Sequence, residues 1–309
     1  MNTVLEHINS LGRAFVAFTL PMLVQSSLVI AVLVPVDFIL RRKVRAAVRY
    51  WLWMPVLAAL ILPPVLPFIT GVGHWFGEGA SSGSTEAGSV AADASAALTW
   101  EGTLFVAWLV AAAGMLLFFL QRAISATTLV AQAKDANNLM STALNYCCRC
   151  MGVKKKVRLK VSPKVSSPVV RGLLRPVILI PPRLAPGLGS RHLRSILLHE
   201  LAHIKRGDLW VYSVQTILQL IYFYNPLLWL ANAIICRVRE RAVDEMVVSA
   251  MGERARWYPE TLVAVAKLAL KRPALSLRLI GVVESQGALS KRIKHILTGP
   301  LSRRAKPGR

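Results

Sequence analysis

The chain has 309 residues, 54% of them hydrophobic and only 17% charged, with a mean hydropathy of +0.49. Soluble domains carry about a quarter charged residues, so this composition excludes a purely soluble globular protein and points to a membrane protein with a soluble part, roughly two domains in all. The net charge of +23 comes from 38 Lys plus Arg against 15 Asp plus Glu, and because these cations are dispersed among long apolar runs their expected counterpart is an anionic bilayer surface, not nucleic acid.

Three apolar runs come first, at about 14–40, 51–69 and 103–120. Each reaches or approaches the ~20 residues that a spanning helix needs. Pro21, Pro35 and Pro55 fall in or near them, which spanning helices tolerate because neighbours satisfy the freed carbonyls. The first run is too long for the apolar core of a cleaved signal peptide, so it is expected to stay as a span. Orientation follows from the cations. The turn after the first span holds Arg41, Arg42, Lys43, Arg45 and Arg49, whereas the loop at 70–101 has no Lys or Arg and carries Glu78, Glu86, Asp93 and Glu101. The positive-inside rule then puts the N-terminus and that loop outside and everything after Arg122 in the cytoplasm. Gly, Ser and Ala dominate 77–97, the composition of a flexible loop.

Past the third span the chain reads as helical from Gln121 to Met151, as a continuation of the span. Lys154-Lys155-Lys156 marks a boundary. Val157–Val161 alternates apolar and charged residues like a half-buried strand, and Val177–Ile180 is a short β-branched run stopped by Pro181-Pro182. Val177, Ile178, Leu179 and Ile180 are also the expected strand for pairing with an extended substrate.

Arg191–Lys205 reads RHLRSILLHELAHIK, with Leu193, Ile196, Leu197, Leu201 and Ile204 on one helical face. His199 and His203 are four apart, so both imidazoles project from the same side of the helix and can reach one metal ion. Glu200 stands beside them as a base for a water molecule. Such strings also arise by chance, in which case they are two satisfied histidines and a solvated glutamate. A catalytic zinc site needs a third protein ligand. Glu240 suits that role, with Asp244 one turn on as the acceptor that holds a histidine N–H; taken alone, 239–245 would be a surface helix of alternating charge. For Glu240 to return to the metal, the apolar stretch 209–236 must fold back on itself, as a helical hairpin turning near Tyr224-Asn225-Pro226. Asp208, after Gly207 and before an apolar helix, reads as a cap, with a link to the metal shell left open. Arg183, His192 and Tyr258 are the candidates for stabilising an oxyanion. Cys147, Cys148, Cys150 and Cys236 form no plausible disulfide framework and read as small residues at helix ends.

These pieces resemble the BlaR/MecR-type membrane metalloproteases, the signal transducers of β-lactam sensing within the gluzincin class. The resemblance rests on Arg49-Tyr50-Trp51-Leu52-Trp53, on Ser167-Pro168 through Gly172-Leu173-Leu174-Arg175-Pro176-Val177-Ile178, on HELAHIKRGD at 199–208, on Asn225-Pro226-Leu227-Leu228-Trp229, and on Arg239-Glu240 to Asp244. It covers roughly 20–300. The more distant HtpX-type proteases share the two short metal motifs and are the nearest competitor. The resemblance implies His199, His203 and Glu240 as ligands of one Zn²⁺ per chain, Glu200 as general base, and a cytoplasmic protein substrate such as a transcriptional repressor. Two departures stand out: Val243 replaces a frequent Cys, and no further span or extracellular sensor domain is seen before the basic tail at 301–309, so β-lactam sensing is not carried over from the resemblance.

The resulting expectation is a membrane α-helical bundle (1–121, three spans) plus a mainly α, α+β cytoplasmic gluzincin domain with a small sheet (122–300) and a basic tail (301–309), multi-pass in a bacterial-type inner membrane. The function expected is a zinc metalloendopeptidase of the antirepressor type. An HtpX-like quality-control protease and a non-catalytic signalling scaffold are the alternatives. Partners expected are the lipid bilayer and the cytoplasmic substrate, with a homodimer left open and direct nucleic-acid binding not expected.

Overall fold

Helix α1 (Asn2–Leu40) contains the first apolar run, and α4 (Trp100–Gln132) the third. The computed structural model describes residues 2–41, 43–62, 97–182, 184, 190–270, 292, 293 and 296. The end of the second apolar run, most of the loop at 70–101, Arg183 and the tail at 301–309 lie outside the described residues. By contacts the chain divides into two compact units. One comprises Met1–Ile39, Leu52–Phe118 and Leu218–Ala231; the other comprises Leu40–Trp51, Phe119–Ile217 and Asn232–Arg309.

In the first unit, α1 and α4 are both long and apolar enough to cross a membrane. Their apolar windows are only 17% and 0% buried, which a core helix of a soluble protein would not be; Val110 and Leu117 on α4 are each 67% exposed. Apolar surface left outward on this scale is stable against lipid and not against water. The two helices run in the same direction. Asn9 accepts from the Thr99 backbone N–H at 2.9 Å and donates to the Ala97 carbonyl. One turn on, a Cβ added to Gly12 would lie 2.5 Å from the backbone of Glu101 and Gly102, so only glycine allows this approach. Phe15 then packs at tilted angles against Phe105 and Trp108. The second run is represented by the short helices α2 (Ala46–Leu52) and α3 (Met54–Ile61), with Pro55 in the first turn of α3, where its missing N–H costs nothing.

Among the described residues the second unit holds one four-stranded sheet, ordered β1 (Lys134–Asp135), β2 (Arg158–Val161), β4 (Val177–Ile180), β3 (Val169–Arg171). The two strands expected from the sequence are β2 and β4. The helix expected to run unbroken from Gln121 to Met151 does not. It stops at Gln132, and α5 (Asn138–Met151) restarts after β1, because the Asn137 side chain accepts from the Met140 N–H at 2.9 Å and caps a new helix. Strand β4 is buried along its whole length and pairs with β2 in parallel and with β3 antiparallel. This corrects the expectation that Val177–Ile180 pairs with substrate: both of its edges are already taken. Among the described residues the edge strand next to it is β3. Gly172, at φ +87°, makes the tight turn into β4, where a Cβ would meet the Arg175 carbonyl at 2.5 Å.

Helix α6 (Ser190–Arg206) carries the apolar face predicted for it. Leu197, Leu201 and Ala202 are fully buried in a core shared with α5, the sheet and Val243 and Val247 of α8 (Pro226–Met251). Helices α7 (Asp208–Ile221) and α8 form the expected hairpin, turning at 222–225. Asn225 caps α8 by accepting from the Leu227 N–H and ties the turn to α1 by donating to Ser26. Tyr222 donates to the Leu60 carbonyl in the same unit. A short 3₁₀ turn, Gly252–Trp257, leads into α9 (Tyr258–Leu270). Cys147 is buried against α6 and its thiol is pushed up to about 12 by that burial, whereas Cys150 is exposed; all four cysteines are free.

Candidate metal centre

The face of α6 opposite its core residues presents His199 and His203, with ring centroids 5.0 Å apart. Helix α8 brings Glu240 to them. The Nε2 of His199 is 3.7 Å from Glu240 Oε2, and the Nε2 of His203 is 3.9 Å from Oε1. One ligand atom from each of the three lies within 4.8 Å of the other two. A tetrahedral ion with bonds of about 2.0–2.2 Å asks for about 3.3–3.6 Å between ligand atoms, so the two histidine–carboxylate separations of 3.7 and 3.9 Å are already close to what an ion of that size needs. The donor chemistry also fits: two imidazoles and one carboxylate, with a fourth position left open.

The outer nitrogen of each ring is engaged. His203 Nδ1 faces Asp208 Oδ2 at 2.8 Å. With a carboxylate as acceptor, Nδ1 carries the proton and Nε2 keeps its lone pair toward Glu240. Gly207, at φ +74°, makes this contact by reversing the chain between α6 and α7, so that Asp208 turns back over His203. Arg206 donates to the same carboxylate and lies over the Tyr50 ring at 4.7 Å. Of the two roles the sequence leaves open for Asp208, a helix cap and a link to the metal shell, its contacts match the second: it is the first residue of α7, and its oxygens are used by His203 and Arg206.

On the other side, His199 Nδ1 is 2.8 Å from the Tyr258 hydroxyl, which donates to Asp244 Oδ1 at 2.7 Å. Asp244 Oδ1 itself is 3.6 Å from His199 Nδ1. The acceptor expected to hold a histidine directly therefore works through a tyrosine. Tyr258 was a candidate for an oxyanion. At 1% exposure, with its hydroxyl between His199 and Asp244, it does not face the open position. His192, another such candidate, pairs with the Thr261 hydroxyl at 2.8 Å. Glu245 is turned away and accepts the Ala46 N–H at the start of α2.

Glu200, next to His199, is 8% exposed, and its charge acts on the His199 ring. Burial pulls the His199 pKa down, but the facing Glu240 and the charge of Glu200 outweigh it, and the pKa stands above its ordinary 6.5. A proton there holds the place that a metal cation would take, so metal uptake should release it.

Sequence pattern already leaves Asp208 open as a link to the metal shell, since it lies five residues beyond His203 across a glycine. In the sequence Tyr258, 59 residues beyond His199, is marked only as an oxyanion candidate, and nothing in the pattern marks Arg292, 93 residues beyond it.

A family model described as BlaR1 peptidase M56 matches residues 17–296. The regulatory protein BlaR1 of Bacillus licheniformis is 27% identical over 241 residues, 69% of this chain and 40% of the relative. The methicillin resistance mecR1 proteins of Staphylococcus aureus and Staphylococcus epidermidis are each 23% identical over 133 residues, 43% of this chain and 23% of theirs. The chain thus spans less than half the length of these curated relatives.

Proposed function

Because the chain belongs to the BlaR1 peptidase M56 family, we propose that it is an integral membrane zinc metalloendopeptidase with a regulatory role, cleaving a cytoplasmic protein of the transcriptional-repressor class. The observation that carries this reading is the convergence of two imidazole Nε2 atoms and one carboxylate beside Glu200. His199, His203 and Glu240 hold one Zn²⁺. When bound, zinc supplies Lewis acidity to a water molecule and to the scissile carbonyl. Glu200 takes the proton from the attacking water and passes it to the leaving amine. Asp208 and Tyr258 keep the imidazole Nδ1 protons in place, so that both Nε2 lone pairs stay turned inward. An extended substrate pairs alongside β3, the edge strand of the sheet among the described residues, which packs against α6. The test is to purify the protein in detergent, measure bound zinc, and follow cleavage of itself and of casein. A protein that binds no zinc at a stoichiometry near one would sink the proposal.

If Asp208 orients His203, Asp208→Ala should weaken zinc binding about 10–100-fold without abolishing it. Competition against a chromophoric chelator measures this, and an unchanged affinity would remove Asp208 from the site.

The proposed orientation places the catalytic unit in the cytoplasm. It rests on the Arg41–Arg49 turn, on the absence of Lys and Arg at 70–101, and on the parallel run of α1 and α4, which an intervening return crossing explains. In a cysteine-reduced background, Ser82→Cys should react with an impermeant maleimide in intact cells and Lys155→Cys should not. The reverse pattern inverts the topology and removes the cytoplasmic substrate.

A further inference from the structure

Arg292 lies far beyond the motifs, yet it is buried at the proposed metal centre. Its Nε donates to Asp244 Oδ2 and its Nη2 to Asp244 Oδ1, both at 2.8 Å, and its Nη1 is 3.5 Å from Glu240 Oε2. Only 7% of Arg292 and 1% of Asp244 is exposed. We infer that Arg292 and Tyr258 are positioning residues of the metal centre, forming with Asp244 a chain that sets the His199 imidazole for metal binding. This rests on the zinc reading above.

The direction of each hydrogen bond follows from what each group can do. A guanidinium has only donors, so its two-pronged hold requires Asp244 as a carboxylate with both oxygens accepting. Tyr258 has one proton, and it goes to Asp244 Oδ1 at 2.7 Å. At its 2.8 Å contact with His199 Nδ1, the phenol oxygen can therefore only accept. Nδ1 must then carry a proton, which leaves Nε2, on the side of Glu240, as the nitrogen whose lone pair is offered to the metal once its own proton is released. If Arg292 is lost, Asp244 keeps a buried charge without its two-pronged partner. Rotation of Asp244 would then free the Tyr258 proton to turn toward Nδ1, which favours the wrong tautomer. Arg292 also lies against Glu240, so a single side chain sets the outer partner of one proposed ligand and flanks another.

The experiment measures zinc affinity of the full-length protein in detergent by chelator competition, together with the melting temperature of the metal-free form. Tyr258→Phe keeps the ring and the Arg292–Asp244 pair. It should lose about 10-fold in zinc affinity, Arg292→Gln about 10–100-fold, and Arg292→Lys an intermediate amount, because an ammonium cannot reproduce the two-pronged hold. The double variant Tyr258→Phe/Arg292→Gln should be no weaker than Arg292→Gln alone, since both act through one chain. Wild-type zinc affinity in Tyr258→Phe and Arg292→Lys, or losses that multiply in the double variant, would overturn the inference. A lowered melting temperature with unchanged zinc affinity would overturn it too, as the sign of a purely structural role. If Arg292→Gln does not fold, Tyr258→Phe and Arg292→Lys decide. The failure of the zinc reading looks different: wild type itself, and not only these variants, would then bind no zinc.

Discussion

Glu200→Ala should abolish peptide hydrolysis while zinc stays bound. The side chain follows His199 on α6, and its charge reaches the His199 ring, but the three atoms that converge belong to His199, His203 and Glu240. A positioned base contributes about 10²–10⁴ in rate, or roughly 3–5 kcal/mol of barrier. The loss should therefore appear in kcat with zinc stoichiometry unchanged, and Glu200→Gln, which keeps the shape without the basicity, should behave like the alanine variant. Cleavage of casein or of the chain itself at the wild-type rate in Glu200→Ala would remove Glu200 from the mechanism. Loss of zinc from the same variant would make it a ligand and send the assignment of Glu240 back to the start.

The second large effect is expected at Glu240. Its two oxygens each face one imidazole, at 3.7 and 3.9 Å, so Glu240→Ala removes the only carboxylate between the two rings among the described residues. Zinc affinity should fall by more than the about 10–100-fold expected for an outer partner such as Asp208, and activity should fall with it. A second consequence separates a ligand from a mere charge partner. In the metal-free protein Glu240 helps to hold the His199 pKa above its ordinary 6.5. Without it, burial and the nearby Arg292 pull that pKa down, so His199 should titrate at lower pH in metal-free Glu240→Ala than in metal-free wild type. Nuclear magnetic resonance of the labelled imidazole reads this directly. Full zinc occupancy and activity in Glu240→Ala would point to a different third ligand. Glu245 is a poor substitute, since its carboxylate is spent on the Ala46 N–H.

The sequence by itself determined what local periodicity and charge can determine. Two imidazoles four residues apart on an apolar helix must face one side, whatever packs against them, and α6 bears this out. The apolar stretch 209–236 turns at Asn225-Pro226 because the asparagine side chain caps the next helix and proline suits its first position. Long uncharged runs made α1 and α4 legible as helices fit for a bilayer. Pairing over long sequence distances was decided only by the tertiary structure. Val177–Ile180 has the same composition whether it lies at a sheet edge or in its middle; β3 arriving on one side and β2 on the other placed it inside. Gln121–Met151 lacks any proline to break it, and the break came from Asn137 capping α5 while Lys134–Asp135 paired with β2. The partners of the two histidines show the same division. Asp208 is near enough in sequence that a left-handed glycine turn delivers it to His203. Tyr258 at the start of α9 and Arg292 reach His199 and Asp244 only through tertiary packing, and hydrogen bonds between residues so far apart leave no periodic trace in the chain.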